Sequence, residues 1–167
     1  MTAFVTVGNL KRPFTRLLDG VRDVIEQLSK PIVVQHGTAR FEDPRCVCAE
    51  KLSAVEYRAT LEAASLVICH ASQGSLLEAV ALQKPIVTLP RLARHGEHVD
   101  DHQIEFAEYF VERGWAVIPR DGETLAEAAA RAVPPIDAPV LNFTAVTETV
   151  SRFVRMEARD MGLYGGD

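Results

Sequence analysis

Cysteine is scarce in this sequence: only Cys46, Cys48 and Cys69 occur. Their odd number, with no secretory leader expected, excludes a disulfide framework. Cys46 and Cys48 alternate along a strand-like segment and read as packing residues. Cys69 and His70 are neighbours on a strand and point to opposite faces, which excludes a Cys-His catalytic pair. No apolar run reaches the ~18 residues that a membrane-spanning helix needs. The first residues also lack a basic stretch followed by an apolar one, so no signal peptide is expected. Positive charge is not in excess: the net charge of −5 argues against a general nucleic-acid binder. There is no G-x-G-x-x-G, since the loop after the first strand carries only Gly8, which weighs against a dinucleotide-dependent oxidoreductase. Internal repeats and low-complexity tracts are absent. A cytosolic chain is expected, reaching a membrane only through a partner or a surface helix.

What is present is enough for one domain. The 167 residues, 47% hydrophobic and 25% charged, can build a proper core. Short apolar runs alternate with helical patterns along the chain. Strands are expected at Ala3–Val7, Ile32–Gln35, Cys46–Ala49, Leu66–Cys69, Ile86–Leu89 and Trp115–Ile118. Helices are expected from about Phe14 to Ser29, from a Ser53 cap with Glu56 at the capping-box position to about Ala64, and after the turn 70–75. Another starts at Asp100 and Asp101 and stops at Gly114. A short one, Glu123 to Ala132, is expected under an Asp121 cap. Val55, Leu61 and Ala64, and later Ile104, Ala107, Phe110 and Val111, read as inward faces. Pro134, Pro135 and Pro139 mark a linker, followed by a helix from about Phe143 to Arg159 and a glycine-containing tail from Met161. The division is therefore a domain over 1–133 and a linker, helix and tail over 134–167, which pack on the domain or on a partner. The alternation predicts an α/β fold, a Rossmann-like open parallel sheet with helices on both faces.

The chemistry concentrates in residues 66–103. A buried strand drops into His70-Ala71-Ser72-Gln73-Gly74-Ser75 and then a helix. Such a turn leaves backbone N–H groups unpaired at the helix start, and together with the helix dipole they favour an anion such as phosphate. Gly74 permits close backbone approach, Ser75 adds a hydroxyl, and Glu78 lies one turn further in, where a carboxylate can accept from a ribose diol. The alternative for the same residues is an ordinary turn with serine as the helix cap. After the next strand, Arg91, Arg94, His95, Glu97, His98, Asp100, Asp101, His102 and Gln103 crowd one loop. The local positive charge around Arg91 suits a small anionic ligand. His98 and His102 have the spacing of a metal pair on a helix, but Asp100 and Asp101 place the helix start after His98, and no metal is expected. In the strand order 3-2-1-4-5-6 the first and fourth strands are neighbours at the switch point. The loops Gly8-Asn9 and 70–75 then face one crevice.

The segments HASQGSLLEAVALQKPIVTLP and GEHVDDHQ, with Val5-Thr6-Val7-Gly8, resemble the C-terminal domain of family 28 glycosyltransferases. The similarity extends over about Phe4 to Ile118. It is closer to the free-standing form of that domain, the cytosolic subunit of split enzymes that make dolichyl-linked or bacterial exopolysaccharide precursors. The resemblance implies the C-terminal half of a GT-B glycosyltransferase. It implies transfer of a hexosyl unit, glucuronosyl or GlcNAc, from a UDP-sugar to a polyprenyl-diphosphate-linked acceptor, without a cofactor. A membrane-anchored partner subunit would supply the acceptor site and the general base, so the chain would sit at the inner face of the membrane. By the same resemblance the donor site comprises Gly8, Asn9, His70, Ser72, Gln73, Gly74, Ser75, Glu78, Arg91, His102 and Gln103. Gly74 and Ser75 would meet the diphosphate, Glu78 the ribose and Gln103 the donor sugar. His70 and His102 are catalytic candidates by residue type alone. Ser72 stands where the family often has glycine, and Asn9 where threonine is common. The competing reading is a non-catalytic accessory subunit that stabilises a membrane-anchored partner.

Overall fold

The computed structural model describes residues 2–136. Five parallel strands form one sheet in the order β3-β2-β1-β4-β5. They are β1 (Thr2–Thr6), β2 (Ile32–Gln35), β3 (Cys46–Ala49), β4 (Ala64–His70) and β5 (Ile86–Leu89). The helices between and after them are α1 (Thr15–Val24), α2 (Ala54–Ala63), α3 (Gln73–Ala81), α4 (His102–Glu112) and α5 (Leu125–Arg131).

Both sheet faces are covered, because alternate strand residues point opposite ways. Ala3, Val5 and Ile68 join Leu17, Leu18 and Val21 of α1 and Leu125 and Ala128 of α5 in one core cluster. Phe4, Val67 and Cys69 join Leu61 of α2, Leu76 and Val80 of α3, and Ala107 and Phe110 of α4 in the other. This is the expected Rossmann-like sheet. β2 and β3 have the expected bounds, and the Ser53–Glu56 capping box forms in both directions. The fourth strand is longer than its apolar run. Paired on both sides by β1 and β5, it extends from Ala64 to His70.

Five local expectations are corrected. The sixth strand is a single bridge, Val87 to Val117. Val117 donates to Ile86 O and accepts from Thr88 N–H. The next donor the ladder needs is residue 119, a proline without an N–H, so pairing stops. α1 ends at Val24, and a 3-10 turn over Ile25–Gln27 tightens its last residues. Val55 is 79% exposed. The inward stripe of α2 runs through Tyr57, Leu61 and Ala64, and Val55 lies on the far side of it. Val111 is likewise exposed, because Gln103, Ala107 and Phe110 form the buried stripe of α4. The cap of α5 is Thr124, not Asp121. Its hydroxyl accepts from Glu127 N–H at 3.2 Å while Glu127 accepts from Thr124 N–H at 2.8 Å. The expected helix Phe143–Arg159, Pro139 and the tail lie outside the described residues.

The cap assignment is testable by urea denaturation. Thr124→Ala should cost about 1 kcal/mol, whereas Asp121→Ala should stay within about 0.5 kcal/mol of the parent. The opposite ranking would return the cap to Asp121.

Candidate functional site

β1 and β4 lie side by side in the middle of the sheet, and the chain leaves their carboxyl ends in opposite directions across it. Ligands of open α/β sheets bind at such a point. Here it opens into a cleft of about 910 Å³. Gly8 and Asn9 after β1 form one side of it. His70, Ser72, Gly74, Ser75 and Glu78, running from β4 into α3, form the floor and the second side. Gln35 at the end of β2, and Lys51, Tyr57 and Arg58 around the start of α2, form the far rim. Seven of the eleven residues expected at the donor thus share one cavity.

The first loop is fixed by a short relay of polar groups. Gly8 N–H donates to Thr6 Oγ1 at 3.1 Å, Thr6 Oγ1 donates to Gln35 Oε1 at 3.0 Å, and Gln35 Nε2 donates to Asn9 Oδ1 at 3.1 Å. Gly8 has φ +73°, and a Cβ there would lie 2.5 Å from the His70 ring. Both facts demand glycine, so the loop after β1 lies directly on the imidazole that ends β4. A Cβ on Gly74, by contrast, would meet no atom within 4 Å. That backbone faces open space in the cleft.

Ser72 is the N-cap of α3, accepting from Ser75 N–H, and its hydroxyl lies 3.1 Å from Ser75 Oγ. Tyr57 Oη donates to the same Ser75 oxygen at 3.4 Å. Burial pushes the Tyr57 phenol up to about 12, so it remains a donor. The serine cap therefore occupies the turn expected to meet an anion. Ser72 satisfies one N–H, and Gly74, ahead of the first helical hydrogen bond, lines the cleft with its backbone.

His70 is 6% exposed and its Nδ1 has no partner among the described residues. Burial, then the nearby Arg91 charge, pushes its pKa down to about 4. The ring is therefore a neutral imidazole under the cleft.

The remaining expected residues lie elsewhere. Arg91 has no exposed surface. Its guanidinium donates to the carbonyls of Val7 at 2.8 Å, Arg12 at 3.0 Å and Glu97 at 3.2 Å, and it lies 4.6 Å from the Phe14 ring centroid. It faces backbone carbonyls rather than the cleft. Burial pushes its pKa down to about 10. Gln103 is buried as well, its Oε1 accepting from Arg91 N–H at 3.0 Å. Gln73 lines a separate groove of about 350 Å³ between α3 and α4, with Leu77, Phe106 and Tyr109. His102 is exposed at the first turn of α4 beside Asp100 and His98. Sequence reasoning did not reach Gln35, Lys51, Tyr57 or Arg58. Gln35 ends the strand beside β1, so the switch-point argument extends to it. The α2 residues carry no local signal, since only the fold turns that helix start towards α3.

Two predictions test this arrangement. The unfolded imidazole titrates near 6.5 and the folded one near 4, so the unfolded chain binds the extra proton between these values. The stability due to His70 is complete above about pH 6.5 and falls by about 3 kcal/mol as the pH drops towards 4. Denaturation series at falling pH should show this loss in the parent and not in His70→Gln; parallel losses would refute it. Arg91→Lys, whose point charge cannot span the three carbonyls, should cost about 3 kcal/mol or more in the same measurement. A change under about 1 kcal/mol would show that the guanidinium is dispensable.

Comparison with known proteins agrees with the geometry. The model of the glycosyltransferase family 28 C-terminal domain matches residues 2–154. No curated protein matches in sequence. Among solved structures, the glycosyltransferase of kitacinnamycin superimposes with a TM-score of 0.58 at 21% identity, covering 96% of this chain and 40% of that one. The calicheamicin glycosyltransferase CalG4 gives 0.55 at 18% identity, covering 83% of this chain and 36% of that one. ALG13 gives 0.56 at 19% identity, covering 87% of this chain and 94% of that one. The chain thus spans well under half the length of the first two and nearly the whole of the third. With a parallel sheet in this order and a family match over most of its length, the chain belongs to the glycosyltransferase family 28 C-terminal domains.

Proposed function

We propose that the chain is the donor-binding component of a glycosyltransferase that moves a hexosyl unit, glucuronosyl or GlcNAc, from a UDP-sugar to a polyprenyl-diphosphate-linked acceptor. The observation that carries this reading is the meeting of the Gly8 loop and the α3 N-terminus in one cleft at the switch point. The diphosphate would sit where Gly74 leaves the backbone open, against the free N–H groups and positive dipole end of α3. Ser75 would add a hydroxyl and Glu78, one turn on, would accept from the ribose. When the acceptor oxygen bonds to the anomeric carbon and the sugar–phosphate bond breaks, negative charge grows on the departing UDP. Fixed donors already aimed at that position stabilise it without reorganising.

The acceptor proton must go to a base, and His70 is poorly suited to take it. A general base works best with a pKa near the working pH, and burial holds this imidazole near 4. That supports a base on a partner subunit. The resemblance to the free-standing domain, and the near-complete coverage of ALG13, point the same way. The partner would be membrane-anchored, as the family resemblance implies; no helix among the described residues of this chain is long and apolar enough to cross a membrane. It would hold this chain at the inner membrane face.

Titration calorimetry with UDP, and with NAD as control, tests the donor role. The parent should bind UDP alone. Ser75→Ala and Glu78→Ala should fold as the parent does and bind UDP at least ~10-fold more weakly, a loss of about 1.4 kcal/mol. Parent-like binding by both variants would remove the site assignment. Absence of UDP binding by the parent, alone and with its partner, would favour an accessory subunit.

A further inference from the structure

The turn before α4 gathers three metal-ligating side chains outside the cleft. The ligand atoms of His98, Asp100 and His102 all lie within 4.8 Å of one another. Both imidazoles present Nδ1 to the same carboxylate oxygen, Asp100 Oδ1, at 3.2 Å for His98 and in closer contact for His102. The two rings meet edge to face with centroids 4.6 Å apart, and Phe106 backs the His102 ring at 6.1 Å.

The backbone on either side of this cluster is also held by contacts from neighbouring residues. On one side, Glu97 receives two hydrogen bonds from Arg16, at 3.0 and 2.8 Å, and one from Leu92 N–H. On the other, Asp101 accepts from Ala93 N–H at 2.8 Å and Gln103 from Arg91 N–H at 3.0 Å. The carbonyl of His98 itself accepts from Arg12. A turn braced from both flanks, and within itself by Asp100 N–H donating to His98 Nδ1 at 3.4 Å and His102 N–H to Asp100 Oδ1 at 3.3 Å, is preorganised, and loses little on binding.

We propose that His98, Asp100 and His102 bind a divalent cation of the zinc class. Two imidazole nitrogens and one carboxylate oxygen are a donor set for Zn²⁺, Co²⁺ or Ni²⁺, whereas Mg²⁺ and Ca²⁺ take shells of oxygen. Asp100 and His102 are exposed, so water completes the shell at the fourth position. Sequence spacing alone does not reveal this site, because His98 lies outside α4. The turn closes the gap by placing Asp100 between the two rings. None of the three residues lines the cleft.

The test uses the full chain without an affinity tag, titrated with ZnCl₂ by calorimetry in excess Mg²⁺, and with CoCl₂ by absorption spectroscopy. One equivalent of Zn²⁺ should bind, and the melting temperature should rise with its concentration. The Co²⁺ form should show ligand-field bands without a thiolate charge-transfer band, which separates this site from Cys46 and Cys48. Asp100→Asn and His102→Ala, at exposed positions, should keep the parent's circular dichroism and lose the binding at least ~10-fold. No stoichiometric binding by the parent, unchanged binding in both variants, or a thiolate band would each overturn the proposal.

Discussion

A guanidinium without exposed surface ties the cleft edge of this domain together. Arg91 leaves β5 and reaches back across the carboxyl end of the sheet to Val7 O, 84 positions away in sequence, and to Arg12 O at the entry to α1. Its third partner, Glu97 O, lies in its own loop, and its backbone N–H takes up Gln103 at the start of α4. A strand end, a helix entry and a long loop therefore share one side chain. Desolvating a charge this fully is costly, and the arrangement holds only because carbonyl oxygens and the Phe14 ring face, 4.6 Å away, receive it. The neighbouring Arg16–Glu97 pair repeats the tie closer to solvent, with Arg16 also donating to Pro90 O at 2.6 Å.

That buried charge shapes the cleft without entering it. It stands close enough to His70 to add to the effect of burial and keep the imidazole neutral. A neutral ring can lie directly under the Gly8 loop, where a second cation beside Arg91 would be repelled. The imidazole at the floor of the cleft is then polar but uncharged. Directed polarity comes from the start of α3, with Lys51 and Arg58 on the opposite rim. The helix dipole and a serine cap do not titrate in the physiological range, so an anion site built from them keeps its strength as the pH changes.

Much of this was legible in the sequence where the signal is local. The runs Ile32–Gln35 and Cys46–Ala49 are short and apolar enough to fix their own limits, and Ser53 with Glu56 announces a capping box by spacing alone. The strand, turn and helix at 66–81 follow from composition and one proline. What the local pattern does not show depends on partners far away in the chain. Arg91 reads as a ligand contact because it opens a polar loop after a buried strand, and Gln103 because it matches the donor motif of the resembled family. Their actual partners are main-chain groups that only the folded sheet brings near. Val55 misled because an apolar residue near a helix start says nothing about which stripe the core selects. The missing sixth strand was readable, since Pro119 removes the N–H that the ladder needs next, but an apolar run outweighs one absent hydrogen in a pattern reading.

One sheet end also explains why such a domain need not act alone. In a doubly wound sheet the switch point gives two adjacent loops diverging from one line of strand ends, and everything they bind is approached from the same side. That geometry suits a nucleotide, whose phosphate, ribose and base can be held in sequence along a helix start and the neighbouring rim. It leaves the reacting carbon and the incoming group facing outward. The groups that would close over them cannot come from strands whose carboxyl ends are already occupied by the first ligand. On the proposed reading a second wall would come from another domain in a longer chain or from another polypeptide.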